Sequence, residues 1–300
     1  MLSDSVYIVA GGGRGLGRES AIELGRHGAT VVVNDLGVSL EGNDENPEPA
    51  EETIEAVEAA GGDGMAHFGD IADLEYTASL VEDTLEEYGR IDGAANFAGI
   101  LRDSISYKMT GDQWDDVVRV HLRGHFALLR NVGAHWREQA EIEGGELDRQ
   151  RSFLGVSSRS ALGNVGQMNY SAAKAGVLGV VRTGARELNR LNVRVNALMP
   201  SAFTRMVGEG IPEERLPYTK EEAPPEKIAP LVAYLMSDGA EDITGVTFRA
   251  MGDTIGVVSD PEVVRLGYSE GGWTLEGLDE QFRSGVAEGF DLERIGENVT

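Results

Sequence analysis

Short runs rich in β-branched residues alternate along this chain with longer stretches in which apolar positions recur every three or four residues. Residues 6–10 (VYIVA), 30–35 (TVVVND), 65–68, 91–96, 153–157, 193–198 and 246–249 carry the first pattern and are predicted strands. Between them, residues 15–28, 51–60, 73–88, 112–136, 169–190 and 225–236 carry the second and are predicted helices. The fourth of these reads as one long helix that starts from Thr110-Gly111-Asp112. Strict strand–helix alternation predicts a Rossmann-type, doubly wound parallel sheet in a three-layer α/β/α domain spanning residues 1–256. Two segments fall outside it. Residues 37–49 (GVSLEGNDENPEP) are acidic and turn-rich and read as an exposed loop. Residues 257–300, with Trp273, Phe282 and Phe290 as landmarks, read as an extension packed on the domain.

Composition narrows the setting. An apolar fraction of 41% supports a sizeable core, and the absence of cysteine excludes disulfides, thiolate catalysis and cysteine-based metal sites; no metal site is expected. No apolar run approaches a membrane span, and the first strand is too short for the core of a secretory leader, so a cytoplasmic protein is expected. The Asn169 and Asn298 sequons are then chance matches. A formal charge of −25 argues against nucleic acid and anionic membranes as partners. Lys108, Lys174, Lys220 and Lys227 are the only lysines beneath that carboxylate surplus, a balance suited to a salt-rich cytoplasm in which self-repulsion is screened. An ordinary acidic enzyme is the alternative.

Two clusters carry candidate chemistry. The first is Gly11-Gly12-Gly13-Arg14-Gly15-Leu16-Gly17, between the first strand and the first helix. Glycines there let backbone approach a pyrophosphate at the helix N-terminus, where free amides and the dipole favour an anion. Asp35, ending the second strand, suits ribose hydroxyls and repels a 2′-phosphate, which predicts NAD over NADP; Arg14 is the contrary sign. Asp70-Ile71 would flank the adenine, with a helix cap as the other reading of Asp70. Asn96-Phe97-Ala98-Gly99 would let the nicotinamide side lie close.

The second cluster is Tyr170-Ser171-Ala172-Ala173-Lys174, with Ser157 thirteen residues upstream of the tyrosine. A phenol and an amine four residues apart share a helix face. The ammonium is expected to lower the phenol's pKa, while Ser157 hydrogen-bonds an oxygen that alternates between carbonyl and alkoxide. Reversible alcohol–ketone chemistry follows.

These motifs resemble the short-chain dehydrogenase/reductase family over about residues 6–252. Val33-Asn34-Asp35-Leu36-Gly37, Ala98-Gly99-Ile100-Leu101-Arg102-Asp103, Val118-Arg119-Val120-His121-Leu122-Arg123-Gly124 and Gly166-Gln167-Met168-Asn169-Tyr170 are similar, more narrowly, to the (3R)-hydroxyacyl-CoA dehydrogenase domains of peroxisomal multifunctional β-oxidation enzymes and their stand-alone prokaryotic relatives. The resemblance implies that Tyr170 is the general acid/base, that Lys174 holds the nicotinamide ribose and that Ser157 orients the substrate, with Ser158 as fallback if the register shifts by one. It implies cofactor contacts at Gly11, Arg14, Leu16, Asp35, Asp70, Asn96 and Ala98, and a carboxamide contact from the Pro200–Thr204 segment. His121 stands where the family usually has an asparagine whose backbone carbonyl holds a water in the proton path; a plain helix histidine is the other reading. Ala10 and Phe97 depart from the family's usual threonine and second asparagine.

The expected substrate is a small molecule, an acyl-CoA. Residues 205–226 would cover it: Met206, Val207, Ile211 and Leu216 beside an acyl chain, Arg205, Arg215 and Lys220 beside CoA phosphate. A solvated lid is equally compatible. The resemblance also implies a homodimer or homotetramer. An NADP-dependent 3-oxoacyl-ACP or -CoA reductase and a hydroxysteroid dehydrogenase remain open, as does a catalytically inactive NAD-sensing module.

Overall fold

The computed structural model describes residues 2–37, 46–204 and 218–289. They divide into two compact units, Met1–Val258 and Ser259–Thr300. In the first unit the elements run β1 (Val6–Ala10), α1 (Gly15–Arg26), β2 (Thr30–Asp35), α2 (Glu48–Ala59), β3 (Asp63–Phe68), α3 (Leu74–Tyr88), β4 (Gly93–Asn96), α4 (Gly111–Val118), α5 (Gly124–Ile142), β5 (Arg151–Val156), α6 (Met168–Leu188), β6 (Val193–Ser201), α7 (Ala229–Met236), β7 (Thr247–Met251) and β8 (Thr254–Val258).

The strands form one sheet in the order β3-β2-β1-β4-β5-β6-β7-β8, as the alternation requires of a doubly wound fold. Side chains alternate across the pleat, so neighbouring residues feed opposite cores. Ile8, Val32 and Phe153 pack with Leu80, Leu128, Trp136 and Val181 on one face. Val9, Val31, Val33 and Leu154 pack with Leu24, Val57 and Val232 on the other. Each such side chain taken wholly out of water contributes about 1.5–3 kcal/mol. Trp136, fully buried, keeps its indole N–H satisfied on the Ile91 carbonyl at 2.9 Å. Ala10 pairs with both Asn34 and Asn96, Asn96 with Gly155, and Gly155 with Ala197. The carboxyl ends of five strands therefore finish at one edge of the sheet, where ligands bind in such folds.

Three features differ from the sequence expectation. The helix expected over 112–136 is interrupted by a π turn, Arg119–Arg123, between α4 and α5. Its start is as expected: Thr110 and Gln113 form a capping box. The extra residue in the turn leaves the apolar periodicity on either side intact, so it has no signature in the pattern. The second difference is β8, which runs antiparallel to β7 after a tight turn at Gly252. Gly256 within Thr254-Ile255-Gly256-Val257-Val258 reads as a breaker and hides the strand. The third follows from it: the first unit closes at Val258 rather than at residue 256.

Residues 38–45 of the acidic loop lie outside the described residues, as does Phe290. In the second unit, α8 (Leu275–Gln281) is N-capped by Thr274, and Trp273 and Val286 flank Gly267. Among the described residues no helix is long and apolar enough to cross a membrane.

Candidate active site

The glycine turn is tightly wrapped. A Cβ on Gly11 would lie 2.2 Å from the Ala98 amide nitrogen, and one on Gly17 would lie 2.1 Å from the Gly11 carbonyl oxygen. Only glycine permits these approaches. Asp35 fixes the turn from β2: one carboxylate oxygen accepts from Gly13 N–H at 2.8 Å, the other from Gly37 N–H at 2.7 Å. Arg14 stands at the N-cap of α1 with no side-chain cap, and the first turn carries no acidic residue. Leu16 is buried beneath it. Thr204 joins from the segment after β6, its methyl 3.3 Å from where a Gly15 Cβ would stand; Pro200 pairs with Ala250 within the sheet. Uncapped amides, a bare helix dipole and a carboxylate with lone pairs to spare are a donor and acceptor set that fits a dinucleotide.

The turn after β4 lies against this loop. Phe97 N–H donates to the Ala10 carbonyl at 2.7 Å, and the half-buried Phe97 side chain packs on the core. Asn96 accepts from Ala98 N–H at 2.9 Å, while its buried amide nitrogen has no protein partner. Gly99 makes room for the His121 ring, since a Cβ there would meet His121 Cε1 at 2.2 Å. His121 is buried on the π turn; its Nε2 stands 2.9 Å from the Ile100 carbonyl oxygen, and its Nδ1 has no partner. Desolvation, with Lys174 nearby, pushes its pKa well below the usual histidine value, so the ring is neutral. It meets the Tyr170 ring edge-on, with centroids 4.9 Å apart.

Tyr170 and Lys174 do share a face of α6, and the Lys174 ammonium lies 5.6 Å from the Tyr170 ring centre. Asn169, fully buried, fixes the start of this helix by donating to the Arg102 and Gln113 carbonyls at 3.0 and 2.8 Å. Lys174 is buried and donates to the Val156 carbonyl at 2.7 Å; desolvation brings its pKa down to about 7. The phenol departs from expectation. Desolvation pushes Tyr170 up to about 12, and the group that pulls it back is a hydrogen bond with the Ser158 side chain, not the ammonium.

The two adjacent serines are held differently. Ser157 is buried and its hydroxyl donates to the Lys174 carbonyl at 2.7 Å, so it latches β5 to α6. Ser158, one residue later and in extended backbone, caps a 3-10 turn by accepting from Ser160 N–H and is the serine that reaches the phenol. The two part company because β5 stops at Val156, and the chain turns after Ser158.

Two other expectations narrow. The Ile71 side chain is buried in the core, which leaves only its backbone to face a cofactor. Asp70 is no helix cap: it accepts from Ala72 N–H at 2.9 Å and pairs with Arg119 at 2.5 Å, while Asp73 caps α3. Of the expected substrate cover, Arg205, Met206, Val207, Ile211, Arg215 and Leu216 lie outside the described residues, and Lys220 is exposed. Sequence reasoning passed over His125 and the structural role of Asn169. The His121–His125 spacing of four, which places both rings on one helix face, was the available signal for the first.

Comparison with known proteins agrees with this geometry. Residues 10–252 match the family model described as enoyl-(acyl carrier protein) reductase. The hydroxyacyl-CoA dehydrogenase ChsB1 of Mycobacterium tuberculosis is 37% identical over 268 residues, 88% of this chain and 82% of that protein. Peroxisomal multifunctional enzyme type 2 of Mus musculus is 35% identical over 80% of this chain, a match spanning 31% of that longer protein. The crystal structure of a short chain dehydrogenase from Mycobacterium avium superimposes with a TM-score of 0.84 at 33% identity, covering 95% of each chain.

Proposed function

This chain belongs to the short-chain dehydrogenase/reductase family, and from that premise we propose that it interconverts a 3-hydroxyacyl and a 3-oxoacyl thioester, the CoA ester foremost, using NAD(H). The carrying observation is one of continuity. The glycine turn touches Ala98, Gly99 touches His121, and His121 touches Tyr170, so a dinucleotide platform and a phenol–amine pair share one site.

Tyr170 takes the alcohol proton in oxidation and returns it in reduction. Ser158 has one proton to donate, to the phenolate before the transfer or to the developing alkoxide as the charge moves there, so it stabilises whichever oxygen is negative. Lys174 adds positive charge beside the ring and a donor for ribose hydroxyls. Nicotinamide dinucleotide supplies the hydride acceptor or donor when bound. Gly11, Arg14, Leu16, Asp35, Asp70, Asn96, Ala98 and Thr204 are the residues that would hold it. Asp35 supports NAD over NADP, because its carboxylate suits a ribose diol and repels a phosphate. Wild-type kcat/KM equal for NAD and NADP would remove that preference, and Asp35→Ser is expected to raise use of NADP.

The decisive measurement is an initial-rate panel of (3R)- and (3S)-hydroxyacyl-CoAs and hydroxysteroids with each dinucleotide, in high salt. Turnover of a (3R)-hydroxyacyl-CoA with NAD is expected. In Tyr170→Phe, kcat should fall by about 10³-fold or more while NAD still binds. Substantial residual turnover in that variant sinks the assignment of Tyr170, and a (3S) preference sinks the substrate class. The carboxylate surplus supports a cytoplasmic, salt-adapted protein, whose melting temperature should fall as salt is withdrawn; an unchanged value removes that reading. Family membership supports a homodimer or homotetramer, which light scattering would test.

A further inference from the structure

We propose that His125 is a positioning residue that ties the π turn to β5 and thereby places Lys174. The inference rests on the reading of Tyr170 and Lys174 as the acid–base pair. His125 is fully buried, and both ring nitrogens are committed. Nδ1 stands 2.6 Å from the His121 carbonyl oxygen, which can only accept, so Nδ1 carries the proton. Nε2 stands 2.9 Å from the Val156 nitrogen, whose N–H can only donate, so Nε2 is bare. One neutral tautomer satisfies both neighbours. The charged form would lose the Val156 bond. Burial, with Lys174 as the cation nearby, accordingly brings the His125 pKa down to about 3.

What the ring holds matters more than that it is held. Val156 gives its N–H to His125 and its carbonyl to the Lys174 ammonium, at 2.9 and 2.7 Å. A line of contacts thus runs from the π turn through the imidazole and Val156 to Lys174. The His121 carbonyl accepts from Gly124 N–H as well as from His125, so both its lone pairs are engaged. By resemblance that carbonyl would hold a water of the proton path; in this chain it anchors a ring instead. The groups facing His125 are His121 from the π turn, Lys174 from α6, the Asn96 backbone from β4 and Gly155 from β5. Lys174 is the only one of them that titrates near neutrality.

The two bonds separate by substitution. In His125→Asn the shorter amide reaches the place of Nδ1 and can still donate to His121, but Val156 N–H loses its acceptor. In His125→Gln the longer amide reaches the place of Nε2 and keeps an acceptor for Val156. The chain holds four lysines and five histidines, so labelled spectra of the full-length protein are sparse. In wild type, nitrogen shifts should show His125 as the Nδ1–H tautomer from pH 5 to pH 9. In His125→Asn the Lys174 midpoint should drop by about half a pH unit or more, because a mispositioned carbonyl no longer stabilises the ammonium. Its kcat should fall about tenfold, with KM for NAD changed by less than about twofold. His125→Gln should keep the Lys174 midpoint near wild type. An Nε2–H tautomer in wild type overturns the proposal, as does His125→Asn with an unchanged Lys174 midpoint and kcat. Neither spectrum needs turnover, so a wild-type protein inactive on every alcohol would sink the proposed function and leave this test standing. If His125→Asn does not fold, the wild-type tautomer and His125→Gln decide.

Discussion

The two halves of the site are built from different materials. At the glycine turn the working groups are backbone amides, and the side chains that matter are the absent ones: Gly11 and Gly17 bring main chain within reach of main chain. At the end of β5 and the start of α6 the working groups are side chains, the half-buried Ser158 and Tyr170 and the buried Lys174, seated by two more buried ones, Ser157 and His125. A backbone site fails when an atom is added to it. A side-chain site fails when a hydroxyl or a ring moves by one position. The comparison predicts different kinds of damage from equally small changes.

The largest effect is expected at the turn. In Gly17→Ala the new methyl would lie 2.1 Å from the Gly11 carbonyl oxygen, main chain that cannot swing aside. A loss of about 4 kcal/mol or more in stability is expected, and dinucleotide binding should vanish with it. Denaturant melts and fluorescence titration with NADH read both. A stable, NADH-binding Gly17→Ala protein would break the contrast between the halves.

The serine pair comes next and sharpens the same contrast. Ser158→Ala removes the donor that reaches the phenol and should lower kcat by about 10²-fold with little change in stability. Ser157→Ala removes a buried latch to the Lys174 carbonyl and should cost about 1 kcal/mol in stability, with a smaller change in kcat. Denaturant midpoints and initial rates on both variants give the answer. The reverse pattern would return the substrate-facing role to Ser157.

This difference in materials also decides what could be read from the sequence. Glycine spacing reports close approach of backbone directly, so the turn, Asp35 and the strand edge that carries them were legible. The helical spacing of Tyr170 and Lys174 was legible for the same kind of reason: period alone puts them on one face. Which serine meets the phenol was not. That depends on β5 ending at Val156 and on Ser158 capping the next turn, a matter of one residue that spacing cannot resolve. The π turn was hidden because its flanks keep a helical period, and with it went the bond from His125 to the His121 carbonyl. The direction of the Ile71 side chain, into the core, was equally out of reach of adjacency to Asp70. Desolvation was the other missing quantity. An ammonium beside a phenol suggested a lowered phenol pKa, but burial of both groups raises the phenol and lowers the amine.

The last expected effect is spread over pH, small at any one pH step, and it distinguishes the halves by stability rather than by activity. Lys174 releases its proton near pH 7 in the folded chain, against an ordinary value of 10.5. Between these values the unfolded state binds more protons than the folded one, so this group makes stability rise with pH across that window. The slope is about 1 kcal/mol per pH unit from 7 to 10. Tyr7 and Tyr170, held protonated to about 12, act in the opposite sense only above pH 10, and no cysteine titrates in between. Lys174→Met should therefore flatten the rise and, at pH 7, match or exceed the wild-type melting temperature while turnover is lost. The alteration at the side-chain half would then leave a more stable, inactive protein, whereas Gly17→Ala leaves an unstable one. Melting temperatures of wild type and Lys174→Met at four pH values between 7 and 10 read the slope. Parallel curves for the two proteins would mean that Lys174 is charged and solvated in the folded chain, and the side-chain half would lose the buried amine on which its chemistry rests.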